Sequence, residues 1–242
     1  IFGSKNSIHI IDLVQTLEMI NSALVEIHKC ISSGGKILFV STKKQASETV
    51  ANLAKDTSQY YVNHRWLGGM LTNWKTITNS IKRYKKLSED LKQETTGFTK
   101  KEILKMGIQR DKLERSLGGI SDMKKIPDMI FIIDTNVEDL AVKESVKLNI
   151  PIVAIIDTNS DPTGISYPIP GNDDARRAIN LYCDLIKQTI LDAQKYTLVK
   201  DFEKPQVDEK NVETKLDLKN KEHKPKKVSE KKSISIIKKI KS

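Results

Sequence analysis

Two aspartates carry the first chemistry that can be read from this chain. Asp134 and Asp157 sit in a repeated pattern, Phe131-Ile-Ile-Asp-Thr-Asn136 and Ala154-Ile-Ile-Asp-Thr-Asn159, spaced 23 residues apart. Each ends an apolar run, and open α/β sheets bind ligands just beyond the carboxyl ends of their strands. Two carboxylates there would hold Mg²⁺ or share acid/base work on a phosphorylated metabolite. The competing reading has each Asp cap the turn after its strand, helped by Thr135, Asn136, Thr158 and Asn159. The remaining parts of a catalytic or nucleotide site are missing, since the chain contains no G-x-G-x-x-G, no G-x-x-x-x-G-K-[ST] and no G-x-S-x-G. Ser33-Gly-Gly-Lys36 precedes a strand instead of opening a helix, so it is not a phosphate cradle. Capping is the favoured reading and an α/β enzyme the alternative.

Other reactive residues add little. His9, His28, His64 and His223 are scattered, with none a helical turn from another His or Cys, so no metal site is expected. Cys30 and Cys183 fall on apolar sides of helical patterns without a nearby His to activate them, and they read as buried, unreactive thiols. Neither a catalytic residue nor a cofactor is expected.

The most unusual stretch is Asn63-His-Arg-Trp-Leu-Gly-Gly-Met-Leu-Thr-Asn-Trp74. Arg65 can offer a guanidinium to phosphate and Trp66 a ring to a base, while Gly68-Gly69 admits close backbone approach. Equally, Trp66 and Trp74 can serve as structural anchors around a glycine bend.

These residues need elements to hold them. Lys36-Ile-Leu-Phe-Val40, Met129-Ile-Phe-Ile-Ile133 and Ile152-Val-Ala-Ile-Ile156 read as buried parallel strands, with Gln59-Tyr-Tyr-Val62 as a shorter one. Helical periodicity separates them at Ile11–Ile31, 43–55, Leu140–Leu148 and Asp174 to about Lys195, with Gly34-Gly35 stopping the first helix. Residues 1–73 and 121–197 thus form an open, mostly parallel α/β sheet with helices on both faces. Residues 74–120 break the pattern. Trp74, Ile77, Ile81, Tyr84 and Leu91 make one heptad seam, and Ile103, Met106, Leu113, Leu117 and Ile120 another, with Ser88 and Arg110 as polar gaps. A turn at Thr95-Thr-Gly-Phe98 and a Thr99/Glu102 capping box predict an antiparallel coiled-coil hairpin that projects about 25 Å. It would set Trp74 near Ile120, Ile81 near Leu113 and Tyr84 near Arg110.

Charge follows the same division. Of 242 residues with net charge +10, residues 75–125 hold 14 Lys/Arg against 7 Asp/Glu, residues 200–242 hold 14 against 8, and the remainder 13 against 16. An internal basic segment and a basic tail on a slightly acidic body suit a polyanion. Lys75, Lys82, Arg83, Lys85, Lys86 and Arg110, with Asn63, His64, Arg65 and Trp66, are the expected contacts with that polyanion. A protein adaptor acting through the hairpin would need apolar positions flanking the seam, and those are mostly Lys, Arg, Glu and Ser. No apolar run reaches the roughly 20 residues of a membrane span, and no membrane partner is expected. Residues 198–242 read as a Lys-rich, unfolded tail, with Ile234–Ile240 able to form a basic amphipathic helix on a partner.

Three stretches resemble the S-two family of small-subunit ribosomal proteins: Gly35-Lys-Ile-Leu-Phe-Val-Ser-Thr-Lys43, Tyr60 to Trp74, and Pro127 to Pro151, where Pro127, Asp134, Glu138, Glu144, Asn149, Ile150 and Pro151 fall in the family's order and spacing. Tyr167-Pro-Ile-Pro-Gly-Asn-Asp-Asp174 extends the likeness, which spans about residues 1–190. The resemblance implies a flavodoxin-like domain with a projecting coiled-coil hairpin and no catalytic site. It also implies that the polyanion is small-subunit ribosomal RNA, with further contacts to neighbouring proteins, including S-one in bacteria. The setting would be the cytoplasmic ribosome of a bacterium, or alternatively a mitochondrial or plastid ribosome. The family's His-Phe-Gly-His motif and basic Arg-Trp-Asn-Pro stretch are not in this sequence, which begins near the Ile-Phe-Gly that follows them in the family, and the likeness assigns the Lys-rich tail no role.

Overall fold

A computed structural model describes residues 1–92, 97 and 99–203. The expected turn residues 95, 96 and 98, most of the basic tail and the Ile234–Ile240 segment lie outside them.

Five apolar segments form one parallel sheet: β3 (Ile37–Val40), β4 (Tyr60–Val62), β5 (Met129–Ile133), β6 (Ile152–Ile156) and β7 (Tyr167–Pro170), in the order β4-β3-β5-β6-β7. Counted from its own first strand this is 2-1-3-4-5, the flavodoxin-like order. Strands β3, β5 and β6 are buried along their whole length, which is why they read as unbroken apolar runs. Their side chains alternate between two cores. On one face Ile37, Phe39, Phe131 and Val153 pack on α1 (Leu13–Ser32), α2 (Ser47–Asp56) and α6 (Arg176–Glu203). On the other, Leu38, Val40, Ile130, Ile132 and Ala154 meet Trp66, Met70, Leu71, Ile77, Ile81, Leu117 and Ile120.

The first helix stops as expected. Gly34, at φ +80°, donates to the Ile31 carbonyl and Gly35 to that of Cys30, both at 2.9 Å, closing a Schellman turn. Three differences from expectation have local causes. Strand β7 contains Pro168 and Pro170, which argue against a strand, but it is the edge of the sheet, where a missing N–H is tolerated. A small antiparallel ladder of β1 (Gly3–Lys5) and β2 (Ile8–Ile10) turns through Asn6 and Ser7, both at positive φ, without the Asn-Gly signature of such turns. The last helix continues to Glu203, beyond the expected Lys195.

Between β4 and β5 run α3 (Trp74–Lys92) and α4 (Lys100–Leu117), which pack against each other. The capping box is present: Thr99 Oγ1 accepts from the Glu102 amide at 3.4 Å, and Glu102 accepts from the Thr99 amide at 2.8 Å. Arg83 of α3 donates to Gln109 of α4 at 3.2 Å. Among the seam residues Ile77, Ile81, Leu117 and Ile120 are buried in the sheet's second core, whereas Ile103 is 42% exposed. The seam is dry where it meets the sheet and opens further along.

A single 3₁₀ turn, Gly118–Ile120, returns the chain to the sheet. A Cβ on Gly119 would lie 2.1 Å from the Tyr61 carbonyl oxygen and 2.8 Å from its ring, a contact with backbone that cannot yield. At Gly118 the nearest atom is a flexible Glu114 side-chain carbon at 3.5 Å. Gly119→Ala should therefore destabilise the fold by about 2–4 kcal/mol, while Gly118→Ala stays within about 0.5 kcal/mol of the parent. Urea unfolding of both variants checks this, and equal effects would refute the close approach as the cause.

Candidate nucleic-acid interface

The segment after β4 must cross from the sheet to α3 without regular secondary structure, leaving its backbone amides in need of acceptors. One side chain supplies them. Glu144, on the inward face of α5 (Asp139–Lys147), accepts from the amides of Gly69 (2.8 Å), Leu71 (2.9 Å) and Thr72 (3.0 Å), from the Thr72 hydroxyl (3.0 Å) and from the Trp66 indole N–H (3.1 Å). Burial pushes this carboxyl up, but the amides and the indole outweigh it and hold it below the usual carboxylate range.

Trp66 is therefore a strut. It is 7% exposed and its indole N–H is hydrogen-bonded to Glu144, so its ring lies in the core. Trp74 packs against the same core at the start of α3. Asn63 turns inward, donating to the Ser47 carbonyl at 3.3 Å. His64 and Arg65 are exposed, and with Lys112, Arg115 and Asp111 of α4 they line a cleft of about 460 Å³.

The other expected cations divide into two sets. Lys85 pairs with Asp122 at 2.9 Å, Arg110 with Asp111, and Arg83 with Gln109, so these are partly engaged. Lys75, Lys82 and Lys86 are exposed and have no ion pair among the described residues. At spacings of seven and four they share the face of α3 opposite Ile77, Ile81 and Tyr84.

The strand ends are occupied by the protein itself. Asp134 accepts from the amides of Asn136 (3.1 Å) and Val137 (3.2 Å), and its other oxygen meets the Lys43 ammonium at 3.1 Å. Lys43 also reaches Asp173 (2.9 Å) and Asp174 (2.6 Å), and these carboxylates raise its pKa although burial opposes them. Glu138 accepts from the Thr42 amide at 2.6 Å. The crevice between β3 and β5, where an enzyme of this fold would bind its ligand, is filled by this network. Asp157 caps Thr158 at 2.6 Å, and its oxygens lie within 4.8 Å of those of Asp173 and Asp174, two acids already in contact with Lys43. Burial pushes the Cys183 thiol up to about 12, in keeping with an inert side chain.

The sequence profile described as Ribosomal protein S2 matches residues 1–193. The chain belongs to the ribosomal protein S2 family. It is 57% identical over 192 residues to the small ribosomal subunit protein uS2 of Parvibaculum lavamentivorans, covering 79% of this chain and 76% of that protein. The uS2 proteins of Granulibacter bethesdensis and Sinorhizobium medicae are each 58% identical over the same length, which is 74% and 75% of their own chains. Membership of the S2 family makes this chain a structural constituent of the small ribosomal subunit and not an enzyme. No helix among the described residues is long and apolar enough to cross a membrane.

In this S2 protein, Glu144, met in the sequence only as part of the family pattern and given no role there, is the residue that organises the others. Glu144 lies three residues after Ala141 and next to Ser145, all three buried. An acid on the inward stripe of a short helix was the available signal. Lys112 and Arg115 were visible as cations, but their approach to His64 and Arg65 needs the return of α4 past β4. Glu144→Gln would present an amide N–H₂ to donors and should destabilise by about 2–4 kcal/mol. Because the folded pKa is depressed, the parent's stabilisation from this group is present above its unfolded value near 4.3 and is lost as pH falls through the folded value. The stability difference between parent and Glu144→Gln should thus shrink below about pH 4, as followed by denaturation at stepped pH. A difference constant with pH would show that the carboxylate charge is not what matters.

Proposed function

We propose that this chain binds small-subunit ribosomal RNA through two adjoining cationic surfaces: the His64–Arg65 cleft with Lys112 and Arg115, and the outward stripe of Lys75, Lys82 and Lys86 on α3. Asn63 and Trp66 support the cleft, and Arg83, Lys85 and Arg110 border the two surfaces. Residues 74–120 act as one inserted antiparallel arm on the α/β domain, and neighbouring small-subunit proteins, S-one among them, complete the set of partners. The bacterial origin of the relatives supports a place in the small subunit of a bacterial, cytoplasmic ribosome.

The observation that carries this reading is the set of exposed lysines on α3 that lack ion pairs among the described residues, in a segment with seven more cations than anions. Cations left without protein partners gain most from phosphates, whose condensed counterions they release. Contacts of that kind position a protein on folded RNA without reading its sequence.

Charge reversal of Lys75, Lys82 and Lys86 to Glu should sharply lower incorporation into small subunits, measured by sucrose-gradient sedimentation of tagged chain, with circular dichroism unchanged. Binding of the purified variant to small-subunit RNA should lose about 2–3 from the slope of log K against log salt, close to one per phosphate contact. Undiminished incorporation together with an unchanged slope would remove this stripe from the interface.

A further inference from the structure

The outer face of α4 holds two large aliphatic side chains in water. Leu104 is 67% exposed and Ile108 63%, and one helical turn apart they form a single apolar spot. The contact with α3 runs along Leu113 and Leu117 on another side of the helix, so α3 leaves the spot uncovered. Lys101 and Lys105 flank it on one side, both exposed and without an ion pair among the described residues. The acids nearest on the same helix are engaged elsewhere, Glu102 with Thr99 and Asp111 with Arg110.

Resting on the small-subunit role proposed above, we propose that this face docks an acidic amphipathic helix from a neighbouring small-subunit protein. Two apolar residues a turn apart on that helix would cover Leu104 and Ile108, and flanking Asp or Glu would meet the lysines, as helices do when they lie along an apolar stripe. Charge complementarity fixes the sign of the partner. A second copy of this chain is disfavoured because it would set the same lysines against themselves. RNA fits the apolar spot poorly, since unstacked bases are held on aromatic rings and α4 contains none. Ile108 also lines the edge of the cleft at Arg65, so the docked helix would border that cleft, while the α3 stripe remains for RNA.

The test places a photo-crosslinking amino acid at position 104, and separately at 108, in the full chain, and isolates small subunits from irradiated cells. A crosslink to a protein is expected, with the joined peptide, read by mass spectrometry, showing helical apolar spacing and an excess of Asp and Glu. The chain carrying Leu104→Asp should enter small subunits normally while that protein's stoichiometry there falls about tenfold, and Lys101→Glu with Lys105→Glu should do the same. Crosslinks to RNA, to a second copy or to a peptide without acidic residues would each overturn the proposal, as would subunits that contain the chain but yield no crosslink. Unchanged partner stoichiometry in the aspartate variant would overturn it equally. Absence of the unmodified chain from small subunits would instead defeat the underlying ribosomal reading.

Discussion

A carboxylate buried between a helix and a loop sets the geometry of this protein. Glu144 gathers three amides, a hydroxyl and an indole N–H around two oxygen atoms. In a medium of low polarity such bonds are strong, and an uncompensated charge there would be costly, so the loop and helix α5 hold each other in one arrangement. That arrangement decides where the chain leaves the sheet at Trp66 and where α3 begins at Trp74. Through them it decides the direction in which the basic helices carry their charge.

The same sheet also shows how a fold associated with ligand binding is put to structural use. The crevice at the reversal of strand order is crossed by Lys43, bonded to Asp134 and to the adjacent Asp173 and Asp174, from two other parts of the chain. Ion pairs of this sort add modestly to stability but are demanding in geometry, and here they tie the ends of β3 and β5 to the segment leading into α6. The strand ends are occupied by the protein itself, and exposed cations without ion pairs among the described residues, Lys75, Lys82 and Lys86, lie on α3 instead.

Much of the fold was legible because burial on both faces leaves a plain mark. Met129–Ile133 and Ile152–Ile156 were bounded to the residue, since an uninterrupted apolar run between turn residues has few other uses. The Thr99/Glu102 cap was legible for a similar local reason. Strand β7 was hidden by its prolines, and the Asn6-Ser7 turn by the lack of glycine. At the candidate interface the residue types were visible and their neighbours were not. Trp66 carries the same sequence signal whether its ring faces RNA or the core. Only the position of Glu144, 78 residues away, decides between them.

The close seat of Gly119 on Tyr61 reaches beyond local packing. It fastens the returning end of α4 beside β4, while Trp74 fastens the outgoing end of α3 in the adjoining core. With both roots bolted, length becomes a free variable: whole heptads gained or lost on each helix would keep the seam in step and leave the sheet untouched. The pair can thus vary in length without redesign of the body that carries it.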